Sequence, residues 1–373
     1  MPDVFDPRAF TAERLREVPF SEIRKVSAAA ATLAAEGKDV IHWYIGRPDF
    51  DTPAHIKRAA IESLENGDVH YAPNLGIEPL RRAIAERTKI DTGVAVDWET
   101  QVNVTVGANE AVLLTMLTFL NPGDEVIIPE PNWYHYKWCA ALAGGISVPV
   151  PTREEEGFTL RAEEVARRVT PRTKLLCVTS PGNPTGSVIP EGELNKLAEL
   201  ARERNLLVLS DEIYTRLYYG EGEVAPSISS LPGMAERTIV VNGFSKAYSM
   251  DGWRLGWTVA SPALTQSLWR ARQYTTVCVN TFIQHAAAHA LTADQGCVAE
   301  MRDAFNDRRK IILEGLRAIE GVTAAVPEGA FYFFPNVKEF GKNSAEVADR
   351  LLQEYAIATV DGAVFGDCGE GYL

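Results

Sequence analysis

Cysteine is sparse: the five in 373 residues, Cys139, Cys177, Cys278, Cys297 and Cys368, lie far apart with no C-x-x-C among them. Such spacing indicates no zinc site and no disulfide framework, so the thiols are expected to be reduced. Long apolar runs are missing too. Nothing approaches the ~18 uninterrupted apolar residues of a membrane span, and the N-terminal "MPDVFDPRAFTAERLREVPF" is too charged for the core of a secretory signal. Positive charge is in deficit: 37 Lys and Arg face 50 Asp and Glu, for a net charge of -13. That balance argues against a nucleic-acid or anionic-membrane surface. No G-x-G-x-x-G follows a strand-like run, which counts against a nicotinamide-dependent dehydrogenase. The expectation is a cytoplasmic protein that handles small molecules and binds no metal.

What is present is an ordinary globular composition. At 46% hydrophobic the chain can bury a large core, and its length suits two domains or one large domain with an appendage. Residues 21–36 read as a capped helix ending at Gly37, followed by a strand in "DVIHWYIG". Helices are expected at about 54–65 and 77–89, separated by the loop "GDVHYAPNLG". From residue 101 short β-rich runs alternate with helices: "QVNVTV", "DEVIIP", "ISVPVP", "TKLLCVTS", "LLVLSDE" and "TIVVNGF" mark the strands. The alternation predicts an α/β fold with a mostly parallel central sheet, helices on both faces and ligands at the strands' carboxyl ends. Beyond Pro262 long helices are expected at about 262–292 and 297–320, then an α+β stretch at "GVTAAVPEGAFYFFPNV". The change of rhythm predicts a smaller α+β domain built from both chain ends.

Four strands end in polar clusters. "VNVTVGANEA" runs through Gly107, Ala108 and Asn109 into a helix, leaving free N–H groups suited to a phosphate, although a plain strand-to-helix connection reads the same way. "PGNPTG" offers the Asn183 amide between prolines that permit cis bonds, or simply a turn. "LLVLSDEIY" delivers Asp211 to the end of an apolar strand, with Tyr214 three residues on. A carboxylate buried there needs a positive partner, either an internal Arg or Lys or a protonated cofactor ring nitrogen. Last, "GFSKAYSMDGWRLGW" sets Lys246 among small and aromatic residues, with Arg254 eight positions later. A solvated surface lysine fits those neighbours poorly. A lysine beside a phosphate-binding arginine and across from an acid suits pyridoxal 5'-phosphate, whose aldehyde it holds as an imine.

These segments resemble, in order, those of the class I/II pyridoxal-phosphate aminotransferases of fold type I, aspartate/aromatic aminotransferase-like. The likeness is carried by "IGRPDFDTP", "HYAPNLGIEPLRRAIA", "VTVGANEAV", "NPGDEVIIPEPNW", "SPGNPTG", "SDEIY", "GFSKAYSMDGWRLGW" and "PEGAFYFFPN". It implies that Lys246 forms the aldimine and shuttles the substrate proton, that Asp211 pairs with the pyridinium nitrogen, and that Asn183 and Tyr214 bond the ring's phenolic oxygen. Arg254 and Ser245, with Gly107, Ala108 and Asn109, would hold the phosphate, and Trp133 would stack on the ring. Gly46 would approach the substrate carboxylate with bare backbone, Ile45 would line the same pocket, and Trp133 and Asn183 would also meet substrate. Tyr71 would reach the phosphate of a neighbouring subunit, which implies a homodimer with shared active sites. The implied domains are an N-terminal arm with part of the small domain at 1–50, the large cofactor-binding domain at 51–290 and the small C-terminal domain at 291–373.

The implied reaction is ping-pong transamination between an L-amino acid and a 2-oxo acid, 2-oxoglutarate being the expected acceptor. A β-eliminating lyase on the same scaffold and a non-catalytic ligand-sensing domain are the alternatives. Two departures from the family pattern bear on substrate. The sequence ends in "FGDCGEGYL", where the resemblance implies a continuation into a carboxylate-binding arginine and a final strand and helix; a truncated tail is the expectation. Asn109 stands where aspartate-specific relatives often carry lysine, which counts against aspartate; Tyr44, Trp133 and Phe331 suit an aromatic or neutral donor side chain but read equally as core, so the donor stays open between aspartate, aromatic and other neutral amino acids. Asp251, where many relatives have threonine, has no explanation at this level.

Overall fold

The computed structural model describes residues 6–341 and 343–373. Among the described residues nine strands are β1 Ile41–His42, β2 Val102–Thr105, β3 Glu125–Glu130, β4 Ile146–Pro151, β5 Thr173–Thr179, β6 Leu207–Asp211, β7 Thr238–Gly243, β8 Gly256–Val259 and β9 Ile357–Ala358. Seven form one sheet in the order β2-β8-β7-β6-β5-β3-β4. The strands β3 to β7 run parallel, and β8 is antiparallel to both β2 and β7. This is the mostly parallel sheet expected from the alternating runs.

Strand alternation explains why both faces are covered. Leu176, Val178 and Val208 join the apolar cluster that includes Leu194 and Leu197 of the helix Glu191–Glu203. Their neighbours Leu175, Cys177 and Leu209 point the other way, into a cluster with Ala111, Val112 and Met116 of the helix Gly107–Phe119 and with Tyr136 of the helix His135–Leu142. With successive side chains on opposite faces, an all-apolar strand can lie only between two layers. At the sheet's β2 end the helices Ala54–Glu65, Glu78–Thr92 and Thr281–Thr292 supply the cover, through Ile56, Leu80, Ile84 and Ile283.

The register matters most for function. Thr105 pairs with Gly256, Gly256 with Gly243, Asp211 with Val241, and Thr179 with Asp211. The ends of β2, β5, β6 and β7 and the start of β8 therefore lie along one edge of the sheet. A second, two-stranded parallel sheet pairs β1 with β9, tying the two ends of the chain together. Ala30, Leu33, Val40 and Tyr44 pack there against Leu352, Ala358 and Val360.

Several local expectations need correction. The helix expected over 262–292 is two helices, Pro262–Arg272 and Thr281–Thr292, because the intervening "QYTTVCVN" is rich in β-branched residues and carries Val277 at φ +62°. The strand expected in "DVIHWYIG" shrinks to two residues, the number that find partners in β9. Strand β8 was hidden inside a glycine-rich motif; pairing on both sides makes it a strand. The segment 321–337 contributes only isolated bridges. All five cysteines are free. Among the described residues no helix is long and apolar enough to cross a membrane.

Gly256 shows how tight the edge is. A Cβ built there would lie 2.8 Å from the backbone of Gly107 and Ala108 and 2.9 Å from the Asn242 carbonyl, with no flexible side chain to yield. Gly256→Ala should therefore lower stability by about 2 kcal/mol or more, read as a fall in the denaturant midpoint of the cofactor-free protein; an unchanged midpoint would contradict the packing.

Candidate active site

A cavity of about 1460 Å³ opens along this sheet edge. Its walls include Ile45, Gly46, Ala108, Asn109, Trp133, Asn183, Asp211, Tyr214, Ser245, Lys246 and Arg254. Eleven of the thirteen residues singled out in the sequence thus meet in one space. Gly107 lies behind it, directly under the Arg254 guanidinium, where a Cβ would be 2.7 Å from Nη2. Tyr71 does not join it: this residue is 90% exposed and lies on a separate shallow depression with Thr276 and Cys278.

Asp211 is the most constrained member. Only 2% exposed, it accepts a hydrogen bond from the Tyr136 hydroxyl at 2.5 Å and one from the Ile213 N–H at 3.1 Å. Burial pushes its pKa up, while the Tyr136 and Ile213 donors pull it back. Among the described residues no Lys or Arg forms an ion pair with it, so the internal salt bridge considered from sequence is not made. Its neighbour Glu212 faces the opposite way, bonded to the Ser210 and Ser227 hydroxyls, and burial lifts its pKa to about 7. Strand alternation decides which acid meets the cavity.

Lys246, just past the end of β7, donates to the Gly46 carbonyl at 2.5 Å. Its Nζ lies 5.7 Å from the ring centres of both Tyr214 and Phe331. Burial lowers its pKa from 10.5 to about 8; Asp251 opposes that shift, Arg254 adds to it, and Asp211 opposes it. Asp251, in the turn Asp251–Trp253, shares the cavity wall with the lysine and favours its protonated form. Arg254 follows with φ +55°, a left-handed conformation that costs a non-glycine residue roughly 1–2 kcal/mol. Its Nη1 donates to the Asp251 carbonyl at 2.8 Å, and the guanidinium is held over the first turn of the helix Gly107–Phe119. That turn has N–H groups without intrahelical partners.

Two contacts within the cavity involve Tyr332. A Cβ added at Gly46 would lie 2.6 Å from the Tyr332 hydroxyl. Tyr214 was expected to face a cofactor oxygen, and its hydroxyl here shares a 2.5 Å hydrogen bond with that of Tyr332. The bonds Ser180–Pro181 and Asn183–Pro184 are both cis.

Three residues were missed from sequence. Tyr136 sits inside a helical run with nothing to mark it, because its partner Asp211 comes 75 residues later. Tyr332 lies in the apolar "GAFYFF" stretch and reads as core. His135 stacks on Trp133 with ring centres 4.5 Å apart and planes inclined by 23°, and burial lowers its pKa, which favours the neutral imidazole. Among the described residues no cluster of three or more His, Cys, Asp or Glu could hold a metal.

The donor set fits pyridoxal 5'-phosphate. Among the described residues Asp211 has no cationic side chain in ion-pair range, and it faces the cavity, as a protonated ring nitrogen requires. Arg254 and a helix N-terminus converge on a spot suited to a phosphate. The lysine between them is desolvated. Comparison with known proteins gives the family. A model of the family "Aminotransferase class I and II" matches residues 38–371. The chain is 44% identical over 364 residues to an aspartate aminotransferase of Pyrococcus abyssi, covering 97% of this chain and 92% of that one. It is 43% identical over 364 residues, with the same coverage, to aromatic-amino-acid aminotransferase 2 of Thermococcus litoralis. Among solved structures it superposes on Thermus thermophilus aspartate aminotransferase with maleate at a TM-score of 0.91, with 39% identity over 97% of this chain and 93% of that one.

The lysine's pKa has a consequence for stability. Its folded value lies below its unfolded one, so the native state disfavours the bound proton. That penalty is full below pH ~8 and fades as pH rises toward 10.5. Cofactor-free Lys246→Met should therefore resist urea better than the parent at pH 7, and the advantage should shrink toward pH 10. An advantage that grew with pH would refute the assignment.

Proposed function

The chain belongs to the class I and II aminotransferases, and on that premise we propose that it moves the amino group of a neutral or aromatic L-amino acid to 2-oxoglutarate in two successive half-reactions at the cavity of Lys246. The observation that carries this reading is the meeting, on one sheet edge, of a desolvated lysine, a buried acid without a cationic partner and an arginine over a helix N-terminus.

In this proposal Asp211 holds the ring nitrogen of pyridoxal 5'-phosphate, with Tyr136 fixing the carboxylate. Arg254, Ser245 and the N–H groups of Gly107, Ala108 and Asn109 hold the phosphate. Trp133, backed by His135, covers a ring face, and Asn183 and Tyr214 serve the ring oxygen. Bound there, the cofactor supplies an electron sink that makes the substrate's α-proton removable. Lys246 takes and returns that proton at Nζ, which a pKa near 8 suits, since a useful fraction is neutral at working pH. The apolar walls exclude water from the exchange.

Support for a neutral or aromatic donor comes from the cavity. Tyr44, Trp133, Phe331 and Tyr332 line it, and Asn109 carries no charge. Four arginines besides Arg254 also stand at the wall: Arg308 pairs with Asp49 at 2.7 Å, Arg350 with Glu354 at 3.7 Å, Arg309 donates to the Pro327 carbonyl at 2.7 Å, and Arg47 completes the set. Tyr71, highly exposed, is proposed to complete the phosphate site of a partner subunit in a homodimer. We take 51–290 as the cofactor-carrying unit; the joining of both chain ends through β1 and β9 supports assigning 1–50 and 291–373 to a second one.

Titrating the purified protein with pyridoxal phosphate should produce a near-visible absorption band that one class of amino acid converts to the pyridoxamine form. Tyrosine or phenylalanine should convert it at lower concentration than aspartate; the reverse order would overturn the donor assignment. Release of ammonia and pyruvate without any 2-oxo acid would mean elimination instead. Lys246→Ala should lower turnover by roughly 10³-fold or more, and Asp211→Ala by roughly 10²-fold or more, each with the fold intact by circular dichroism.

A further inference from the structure

Arg272, the last residue of the helix Pro262–Arg272, is 0% exposed, and its Nε, Nη1 and Nη2 have no hydrogen-bond partner among the described residues. A guanidinium buried in that state is costly, and an apolar side chain of similar volume would serve packing better. What an apolar residue could not supply is charge. The nearest anion is Glu110, whose Oε2 lies 3.8 Å from Arg272 Nε, within ion-pair range but too far for a hydrogen bond.

Glu110 stands in the first turn of the helix Gly107–Phe119, at the end proposed to receive the cofactor phosphate. Its Oε2 accepts from the Val106 N–H at 2.5 Å, and its Oε1 accepts from the hydroxyls of Thr276 and, at 3.5 Å, Thr275. The carboxylate thereby ties the 273–280 connection to the phosphate-binding turn. The helix end that attracts a phosphate also attracts this carboxylate, so the two anions oppose each other.

We propose that Arg272 is a positioning residue for cofactor binding: its buried charge cancels that of Glu110, letting Glu110 fasten the 273–280 connection without repelling the phosphate beside it. The proposal rests on the placement of pyridoxal phosphate given above. It separates an electrostatic role from a packing role, because only the former distinguishes a phosphorylated ligand from an unphosphorylated one.

The test is the affinity of the full cofactor-free chain for pyridoxal 5'-phosphate and for pyridoxal, followed by absorption and tryptophan fluorescence. In Arg272→Met the ratio of the two affinities should fall about tenfold, the effect of one uncompensated unit charge at roughly 12 Å and an effective dielectric of about 20, with pyridoxal binding little changed. In Glu110→Gln the ratio should rise, and in Glu110→Gln/Arg272→Met it should return to within about threefold of the parent. An Arg272→Met protein that loses both ligands equally, or neither, overturns the proposal. Should that variant fail to fold, the other two decide: an unchanged ratio in Glu110→Gln, or a tenfold deficit in the double variant, overturns it. A parent chain that binds no pyridoxal phosphate would overturn the proposed function along with it, whereas normal parental binding with an unmoved ratio would overturn this proposal alone.

Discussion

A carboxylate at the end of a buried strand organises this protein. Asp211 is almost fully buried and is held by one phenol and one backbone N–H, with no ion-pair partner among the described residues. Such a group is tolerable when its hydrogen bonds are fixed, and a cation arriving in the cavity would favour its charged form. Tyr136 must then sit at a set height on its helix, and that helix must pack against the face of the sheet lined by Cys177 and Leu209. The covering of the sheet on both sides, the orientation of β6 and the position of the cavity follow from keeping that acid dry and aimed.

The second constraint is closeness at the sheet edge. Gly256 and Gly107 let β8, β7 and the start of the helix Gly107–Phe119 come together without side chains between them. Arg254 accepts a left-handed backbone to bring its guanidinium over that helix end. Positive potential is thereby concentrated at one end of the cavity and a buried acid set at another, with Lys246 in between. The lysine's lowered pKa is a product of this layout: burial is the main cause, and the neighbouring charges push both ways.

Much of this was legible in the residues. Strand-to-helix alternation predicted the sheet, and the polar clusters at strand ends identified Asp211, Lys246, Arg254, Asn183 and the turn at 107–109, because strands deliver the residues that follow them to one edge. Legibility failed where a contact joins distant segments. Tyr136 has no local mark, Tyr332 looks like core, and the closeness of Gly46 to Tyr332 joins positions 286 apart. β8 was missed because its residues favour a strand only once β2 and β7 flank it, and the break between the helices Pro262–Arg272 and Thr281–Thr292 was lost in an otherwise helical pattern.

The sequence by itself determined the class of fold, the family and the identity of many side chains that line the cavity, since these depend on local periodicity and on the order of short motifs. Tertiary structure alone decided which atoms meet: that Asp211 is answered by Tyr136, that Lys246 rests on the Gly46 carbonyl, that Tyr214 shares a proton bridge with Tyr332, and that Arg272 lies buried beside Glu110. The reason is physical. Burial, distance and dielectric are properties of packed neighbours brought from remote parts of the chain, and the cost of a buried charge exists only once those neighbours have excluded water.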